Sequence, residues 1–475
     1  MLANLAELGY DTMTPIQAES LPSLLAGRDV IAQAKTGSGK TAAFGIALLS
    51  ALDVRNLATQ ALVLCPTREL ADQVAKELRR LARAFDNTKI ITLCGGTPMG
   101  PQLGSLEFGA HIVVGTPGRV LKHLQQGSLT LSGLRTLVMD EADRMLDMGF
   151  HDSMVEVTSF LPQRRQNLLF SATYSDEIRA LSGRFQQNPV EVTVESVHVD
   201  SQIEQIFFEV DGKARPQALN ALLRHYQPAS AVMFCNTKQR CDEVAQTLRE
   251  QGFHVAALHG DLEQRDRDLV LVQFANQSCP LLVATDVAAR GLDIKDLAAV
   301  INVELAFDPE THIHRIGRTG RAGQSGLALS LCAPSEAHRA SAIEEYQKLS
   351  LSWQDLPVVN SLAKVPAPRR VTLQIAGGRK DKLRPGDILG ALTGEGGILG
   401  AQIGKIEIFD LHAYVAVDRE VAPAALRRIS DAGIKGRRFK ARQLVSGSAA
   451  GFAADAGAAG SGSGRPSGGP ARKPR

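Results

Sequence analysis

Three carboxylates lie within four residues of the stretch VMDEADRMLDMGF: Asp140, Glu141 and Asp143. They follow an apolar run that is typical of a buried strand. Carboxylates this close repel one another, so they are either solvated in a turn or they serve a cation and a proton. In the second case one acid holds Mg²⁺, and its neighbour orients or deprotonates a water molecule. Residues 140–143 alone leave both interpretations open.

A second stretch, RDVIAQAKTGSGKTAAFGIALL, combines a strand, a glycine-rich turn and the beginning of a helix. The backbone N–H groups of such a turn bind phosphate oxygens, helped by the helix N-terminus. Lys40 is expected to reach the β- and γ-phosphates of a nucleotide, and the Thr41 hydroxyl to hold Mg²⁺. The usual pattern GxxxxGK[ST] has glycine where this chain has Ala34. The predicted nucleotide-binding residues of the loop are Ala34, Lys35, Thr36, Gly37, Ser38, Gly39, Lys40 and Thr41.

The glycine-rich loop favours the Mg²⁺ interpretation of the acidic stretch, residues 140–143. An apolar strand that ends in aspartate is the usual second half of a phosphate-loop nucleotide site. Asp140 is predicted to bind Mg²⁺ together with Thr41, and Glu141 to activate the attacking water. With Lys40 they are the catalytic candidates of this part of the chain. The alternative is still a solvated turn at the end of a strand.

The elements that must position these residues follow from the hydrophobic pattern. Before the Pro-containing stretch near residue 365, apolar runs of four to six residues alternate with segments of helical period. This alternation predicts α/β architecture with mostly parallel sheets. Residues 61–79 also align without gaps with residues 231–249, with eight of 19 positions identical, and residues 111–119 align with 280–291 at nearly the same offset. The repeat predicts two lobes of one fold with matching loops.

Composition restricts the class of protein. The 475 residues suggest about three domains at roughly 150 residues each. A hydrophobic content of 44% and a charged content of 22% are typical of a globular protein, and no apolar run is long enough to predict a membrane span. Six cysteines without CxxC spacing suggest reduced, mostly buried thiols, and no basic region of a signal peptide is present. Together these features predict a cytoplasmic protein.

Charge is distributed unevenly along the chain. The net charge is +3, but residues 369–442 carry +7 and residues 446–475 carry +3, which leaves −7 for the rest. A basic C-terminal module on a mildly acidic body predicts an anionic partner for that module. Residues 446–475 are rich in Gly, Ala and Ser, with too little apolar bulk to offset the entropy of ordering, so we expect a disordered tail.

The ordered motifs of residues 9–345 resemble those of the DEAD-box RNA helicases. They are AKTGSGKT, PTRELA, TPGR, DEAD, SAT, ATDVAARGLDI and HRIGRTGRAG, preceded by TPIQ, which resembles the adenine-reading Q motif. The resemblance implies two RecA-like lobes, in agreement with the repeat, and an RNA-stimulated ATPase that needs ATP and Mg²⁺. The family also carries an isolated phenylalanine upstream of the Q motif, which this sequence starts too late to include, so we expect weaker adenine stacking.

The resemblance also assigns roles to single residues. It implies that Gln17 reads the adenine edge, that Asp293 contacts the ribose or the γ-phosphate side, and that Arg318 and Arg321 are arginine fingers. Because the two arginines lie three apart, they could share one helix face. The residues expected to couple nucleotide to RNA are Asp143, Ser171, Thr173 and His314. The RNA-binding residues expected in the lobes are Thr67, Arg68, Gly96, Thr116, Arg119, His259, Gly260, Thr285 and Arg290.

Residues 369–445 show the order β-α-β-β-α-β, which resembles an RRM. We predict strands at 371–375, 403–409, 412–417 and 438–444, and helices at 384–394 and 422–433. Tyr414 matches one aromatic of the RNP1 pattern, but the first strand lacks the aromatic on which an RRM stacks a base. Basic loops are then the better RNA-binding candidates, unless they form only a solvated face. Together with Tyr414, the candidates are Lys380, Lys382, Lys405, Lys435, Arg437 and Arg438.

The predicted architecture is therefore two RecA-like α/β lobes with parallel sheets, a C-terminal α+β RRM-like domain and a disordered tail. The predicted boundaries are 1–200 and 201–348 for the lobes, 349–368 for a linker, 369–445 for the RRM-like domain and 446–475 for the tail. The C-terminal sequence resembles a bacterial branch of the family, which implies a monomeric helicase anchored to 23S rRNA in pre-50S ribosomal particles. A general RNA helicase and a non-hydrolysing, ATP-gated RNA clamp are the alternatives.

Overall fold

The structure is a computed structural model that describes residues 2–34, 38–85, 87–194, 203–289, 297–320, 326–358, 365–394 and 397–445. The chain divides into two compact units, Met1–Ser201 with Ala289–Ile294, and Gln202–Ala288 with Lys295–Arg475. Within the described ranges, no helix combines the length and the apolar character that crossing a membrane requires. The predicted tail, residues 446–475, lies outside the described residues.

The first unit is a parallel sheet flanked by helices. The strands are β1 (Val30–Gln33), β2 (Ala61–Leu64), β3 (Ile90–Leu93), β4 (Ile112–Gly115), β5 (Thr136–Asp140), β6 (Gln166–Ser171) and β7 (Val190–Thr193). The helices are α1 (Leu2–Glu7), α2 (Pro15–Leu25), α3 (Lys40–Ser50), α4 (Arg68–Leu81), α5 (Met99–Leu106), α6 (Pro117–Gln125), α7 (Ala142–Asp147), α8 (His151–Ser159) and α9 (Asp176–Phe185). The described strands are in the order β3-β4-β2-β5-β6-β1-β7.

Both faces of this sheet are buried, which explains why its strands read as continuous apolar runs. Successive residues of a strand point to opposite faces, so Val30 and Ala32 of β1 lie in one core while Ile31 lies in the other. Helices α2, α3 and α4 pack on the first face, and α6, α7, α8 and α9 on the second. The carboxyl ends of the strands all meet at one edge of the sheet, where the phosphate loop and the acidic stretch also lie.

The second unit begins with a lobe of the same design. Its strands are β8 (Ile203–Glu209), β9 (Ala231–Phe234), β10 (Val255–Leu258), β11 (Leu281–Ala284), β12 (Ala299–Asn302), β13 (Gly326–Cys332) and β14 (Ser352–Trp353). Its helices are α10 (Arg215–Tyr226), α11 (Lys238–Glu250), α12 (Gln264–Ala275), α13 (Asp286–Ala289), α14 (Pro309–Ile316) and α15 (Ala337–Gln347). The described strands are in the order β10-β11-β9-β12-β13-β8-β14, all parallel. The sheet thus continues to Trp353, beyond the predicted lobe boundary at residue 348.

The two strand orders are equivalent position by position, which confirms the predicted repeat of one α/β fold. The aligned segments are β2 with α4 in one lobe and β9 with α11 in the other. Even the helix caps correspond, because the Thr67 hydroxyl accepts from Leu70 N at 3.2 Å, and the Thr237 hydroxyl accepts from Arg240 N at 3.2 Å. All six cysteines are buried free thiols, as the sequence predicted.

The C-terminal domain is an antiparallel sheet with two helices in the predicted order. The strands are β15 (Arg370–Ile375), β16 (Ile403–Ile408), β17 (Ala413–Asp418) and β18 (Ala441–Gln443), and the helices are α16 (Pro385–Thr393) and α17 (Ala422–Arg427). The order of the described strands is β16-β17-β15-β18. Two predicted elements extend too far, because α17 ends at Arg427 and continues as a π-helical turn, Arg428–Ala432, and the last strand spans three residues.

One face of the C-terminal sheet packs on the second lobe. Tyr414 of β17 and Leu444, just after β18, form a small buried cluster with Leu269 and Val272 of α12. All four side chains are less than a tenth exposed. We call this contact the sheet–α12 interface; it belongs to the second compact unit and joins the second lobe directly to the C-terminal domain.

Candidate nucleotide and nucleic-acid sites

The phosphate loop is held by the N-terminus of α2. The buried Gln17 side chain accepts a hydrogen bond from Thr14 N at 2.9 Å and donates to the carbonyl oxygen of Gly39 at 3.1 Å. Gly39 has a φ of 95°, and a Cβ at this position would lie 2.4 Å from Gln17 Nε2. Glycine is therefore required there both by backbone conformation and by space. Lys35, Thr36 and Gly37 lie outside the described residues.

Lys40 begins α3 and is buried. Its ammonium group donates to the carbonyl oxygen of Ala34 at 2.7 Å, so the side chain reaches back to the residue that follows β1. Ala34 follows β1, and its N–H donates to the carbonyl oxygen of Ser171 at 3.0 Å. Because alanine replaces the usual glycine at position 34, a buried methyl group lies at the start of the loop. Thr41, the predicted Mg²⁺ ligand, lies partly exposed in the first turn of α3.

Asp140 is the last residue of β5 and is buried. Burial raises the pKa of this carboxyl to about 6; the charge of Lys40 opposes the shift, and the charge of Glu141 adds to it. Asp140 Oδ1 and the hydroxyl oxygen of Ser38 are buried and have no hydrogen-bond partner among the described residues. Oxygen atoms without partners beside a phosphate loop fit the ligand chemistry of Mg²⁺.

Glu141 occupies a strained position between β5 and α7. Its φ of 53° lies in the left-handed region, which a glutamate adopts rarely. The side chain is buried, and its Oε2 atom lies 3.5 Å from Nε of Arg144 one turn later. Strain of this kind persists where the surrounding structure enforces it, and it is concentrated at functional sites.

Asp143 connects the acidic stretch to the end of β6. Its Oδ2 atom accepts from Ala172 N at 3.0 Å, from Thr173 N at 3.1 Å and, more weakly, from the Thr173 hydroxyl at 3.5 Å. The Ser171 hydroxyl does not take part and has no hydrogen-bond partner within the described residues. The contact expected from two hydroxyls is therefore made mainly by two backbone N–H groups.

The raised pKa of Asp140 predicts an acid limit for nucleotide use. Below pH about 6 the carboxyl binds a proton and loses its affinity for Mg²⁺, so kcat/KM for ATP should fall about tenfold per pH unit. Initial rates between pH 5 and 8 at several Mg²⁺ concentrations would measure this. More Mg²⁺ should move the midpoint to lower pH by competing with the proton. A midpoint that does not depend on Mg²⁺ would contradict the assignment of Asp140 as a ligand.

The first lobe places a guanidinium group where the sequence predicted RNA contacts. Arg119 donates to Gln102 Oε1 at 2.8 Å and to the carbonyl oxygen of Thr97 at 2.9 Å. The buried ring of His123 lies 2.9 Å from the same Gln102 oxygen. Gln102 thus orients Arg119, and sequence reasoning missed it. The one available signal was a glutamine on the helix that follows the Gly-Gly pair at 95–96.

The remaining candidates of this lobe lie at the carboxyl ends of neighbouring strands. Thr67 follows β2 and caps α4, and Arg68 is the first residue of that helix. Thr116 follows β4 and precedes α6, with no bond from its side chain to the helix N–H groups. Gly96, with a φ of 72°, lies in the loop after β3. Because β2, β3 and β4 are adjacent, the structure brings these residues to one edge of the sheet.

In the second lobe the matching positions are partly described. His259, after β10, is buried with Nε2 3.0 Å from Asp242 Oδ1, and the neighbouring Gly260 is exposed. Thr285 follows β11 as Thr116 follows β4. Three further candidates assigned to this lobe, Arg290, Asp293 and Arg321, lie outside the described residues.

The prediction that Arg318 and Arg321 share a helix face was wrong. Helix α14 ends at Ile316 with Gly317 as its C-cap, so Arg318 lies beyond the helix. The chain turns there because Thr319 bridges to Leu297 and its hydroxyl donates to the Leu297 carbonyl oxygen. His314 lies in the last turn of α14 and is partly exposed, and Arg318 is largely buried.

Another arginine of the motif HRIGRTGRAG, Arg315, is held by buried ion-pair and hydrogen-bond contacts. Arg315 is 1% exposed and forms a two-bond ion pair with Asp286, from Nε at 2.7 Å and from Nη2 at 2.8 Å. It also donates to the Asn236 side chain and to the carbonyl oxygen of Glu304, each at 2.7 Å. Sequence reasoning did not single out Arg315, since nothing in the spacing distinguishes it from Arg318.

The basic candidates of the C-terminal domain are mostly exposed. Three of them pair with acids of the same domain: Lys405 with Glu407 at 2.5 Å, Lys435 with Asp387 at 2.9 Å, and Arg437 with Asp381 at 3.3 Å. The side chains of Lys380, Lys382 and Arg438 are exposed. Tyr414 is different, because its ring is 6% exposed and is covered by α12 at the sheet–α12 interface.

Comparisons with known proteins agree with this arrangement. Family models match in three places: DEAD/DEAH box helicase at residues 14–181, helicase conserved C-terminal domain at 214–323, and DbpA RNA binding domain at 372–443. The ATP-dependent RNA helicase DbpA of Escherichia coli is 57% identical over 93% of this chain and 97% of its own length. The DEAD-box ATP-dependent RNA helicase CshA of Bacillus cereus is 41% identical over 76% of this chain and 69% of its own.

A solved structure extends the comparison to the fold. The structure of Saccharomyces cerevisiae Dbp5 bound to RNA and ADP BeF3 matches with a TM-score of 0.69 at 31% identity. The match covers 75% of this chain and 93% of that one. The resemblance drawn from the sequence motifs and the prediction of two tandem lobes are thereby confirmed.

Proposed function

Because this chain belongs to the DEAD-box family of ATP-dependent RNA helicases, we propose that it separates short rRNA duplexes locally, anchored to 23S rRNA by its C-terminal domain. In this proposal it acts as a monomer on pre-50S ribosomal particles in the cytoplasm. The single observation that carries the anchored role is the match of residues 372–443 to the DbpA RNA binding domain, with 57% identity to DbpA of Escherichia coli.

The hydrolytic step is assigned to the edge where β1 and β5 end. Lys40 would exchange its bond to Ala34 for the phosphates of ATP, while Gln17 would hold Gly39 and the adenine edge. Asp140, Thr41 and the Ser38 hydroxyl are the groups that would hold Mg²⁺, which supplies charge neutralisation at the phosphates. Glu141 would orient the attacking water and accept its proton.

Coupling to RNA is assigned to the contact between Asp143 and the backbone of Ala172 and Thr173. This contact links the acidic stretch to the chain that leaves β6, so a change at the nucleotide can be transmitted within the first lobe. Arg318 would reach the γ-phosphate from the second lobe. Hydrolysis would then require lobe closure, which RNA bound across both lobes would stabilise.

RNA contact in the lobes is assigned to threonine hydroxyls, glycine backbone and Arg119 at the strand ends. Such groups grip sugar and phosphate without reading bases, which suits a helicase that acts on many short duplexes. Target choice would then come from the C-terminal domain. Its buried Tyr414 supports recognition by the exposed basic loops in place of stacking on the sheet.

Steady-state ATP hydrolysis tests this proposal. Rates are compared without RNA, with a random RNA, and with a 23S rRNA fragment that carries the peptidyl-transferase-centre hairpin. We expect strong stimulation by the hairpin fragment alone. Equal stimulation by both RNAs would support a helicase without rRNA specificity. No hydrolysis in any of the three reactions, with ATP-dependent RNA binding retained, would indicate a clamp.

A further inference from the structure

A cavity of about 760 Å³ lies where α12 of the second lobe meets the C-terminal sheet. Helix α12 contributes Arg265, and the C-terminal domain contributes His412, Arg438, Lys440 and Arg442. No carboxylate is among the described residues that line it. We call this cavity the junction pocket; its lining is strongly basic although the adjoining lobe carries no excess of positive charge.

The junction pocket has an ordered polar wall. Gln374 of β15 is 5% exposed, and its Oε1 atom accepts from Arg442 Nε at 2.8 Å, which fixes the direction of that guanidinium group. Burial, together with the charges of Arg265 and Arg442, lowers the pKa of His412. The environment therefore already disfavours further positive charge, and an anion would stabilise it.

Buried hydrogen bonds join the two elements beside the pocket. The Thr372 hydroxyl, on the buried face of β15, lies 2.7 Å from the Ser278 hydroxyl and accepts from Asn276 Nδ2 at 3.1 Å. Both partners follow α12, so they reinforce the sheet–α12 interface beside the pocket. Arg265 of the second lobe and the basic residues of the C-terminal domain thus line one pocket beside an interface that buried hydrogen bonds reinforce.

We propose that the junction pocket binds a phosphate-bearing nucleotide of the RNA that the C-terminal domain holds. Guanidinium groups suit phosphate oxygens, and a volume of about 760 Å³ has room for a nucleotide. Since Arg265 belongs to the second lobe, such an RNA would contact the lobe and the C-terminal domain together. The inference rests on RNA binding by the C-terminal domain within the proposed function, and it does not depend on the rRNA target.

RNA affinity of the full chain against salt concentration tests the pocket. Fluorescence anisotropy with the labelled hairpin fragment, without nucleotide, is measured between about 50 and 200 mM KCl. The Arg265→Gln variant should bind more weakly, and the slope of log K against log salt should fall by about 1. Lys440→Gln, which changes an exposed lining residue of the C-terminal domain, should give the same reduction. The matched control is Arg249→Gln, on an exposed part of α11 away from the pocket.

The outcomes separate the alternatives. Unchanged slopes for both pocket variants would overturn the proposal. A loss with Arg265→Gln but not with Lys440→Gln would overturn it too, because it would indicate a loosened interface. Competition by free AMP, with no change of slope for RNA, would assign the pocket to a free nucleotide. The rRNA proposal fails independently, through equal ATPase stimulation by hairpin and random RNA.

Discussion

Replacing Glu141 by glutamine is expected to lower ATP turnover by about 10²- to 10⁴-fold while ATP-dependent RNA binding persists. The amide keeps the shape of the side chain and can occupy the same backbone position, whose φ is 53°. It can orient a water molecule but cannot accept its proton. Single-turnover hydrolysis and RNA anisotropy with ATP, measured on the same preparation, separate these two effects.

The control for this variant is Glu177→Gln, an exposed glutamate in the first turn of α9. It removes the same charge from the same lobe and should leave turnover unchanged. Unchanged turnover in Glu141→Gln would remove Glu141 from its proposed role. Loss of RNA binding together with turnover would point to a structural requirement for the carboxylate, as in its contact with Arg144.

The two lobes could be predicted from sequence because the central strands of each sheet are buried on both faces. Such strands read as short apolar runs without alternation, and the runs recur at a constant offset in 61–79 and 231–249. The phosphate loop was predictable for a related reason. Its glycines and Lys40 must occupy fixed positions between a strand and a helix. The spacing of these residues in the sequence therefore predicts the position of the loop in the fold.

Side-chain partners were harder to predict, because they depend on which surfaces meet. Tyr414 matches an RNA-stacking pattern within its own strand, but α12 packs on that strand and, together with Leu444, buries the ring. The Ser171 hydroxyl was expected to bond Asp143, but the backbone N–H groups of the next two residues, Ala172 and Thr173, donate to that carboxylate instead. Spacing alone contains no information about either contact.

The ion pair of Arg315 with Asp286 is another contact that spacing did not predict, and its loss should strongly affect stability. We expect Arg315→Met to lower the free energy of unfolding of the second lobe by about 3–5 kcal/mol, because it leaves the carboxylate of Asp286 without its partner. Urea unfolding followed by fluorescence measures this. The chain has one tryptophan, Trp353, whose ring lies 5.5 Å from that of Phe207, so the signal reports this lobe.

Two further variants test the physical cause. Arg240→Met breaks a partly exposed pair with Glu243 on α11 and should cost about 1 kcal/mol or less. Adding Asp286→Leu to Arg315→Met should recover about half of the loss, since no uncompensated charge then remains, although Asn236 and the Glu304 carbonyl still lack their donor. A cost for Arg315→Met as small as that of the control would contradict a stabilising role. If the large cost is found, Arg315 fixes the end of α14, three residues before Arg318, by its buried contacts to Asp286, Asn236 and Glu304.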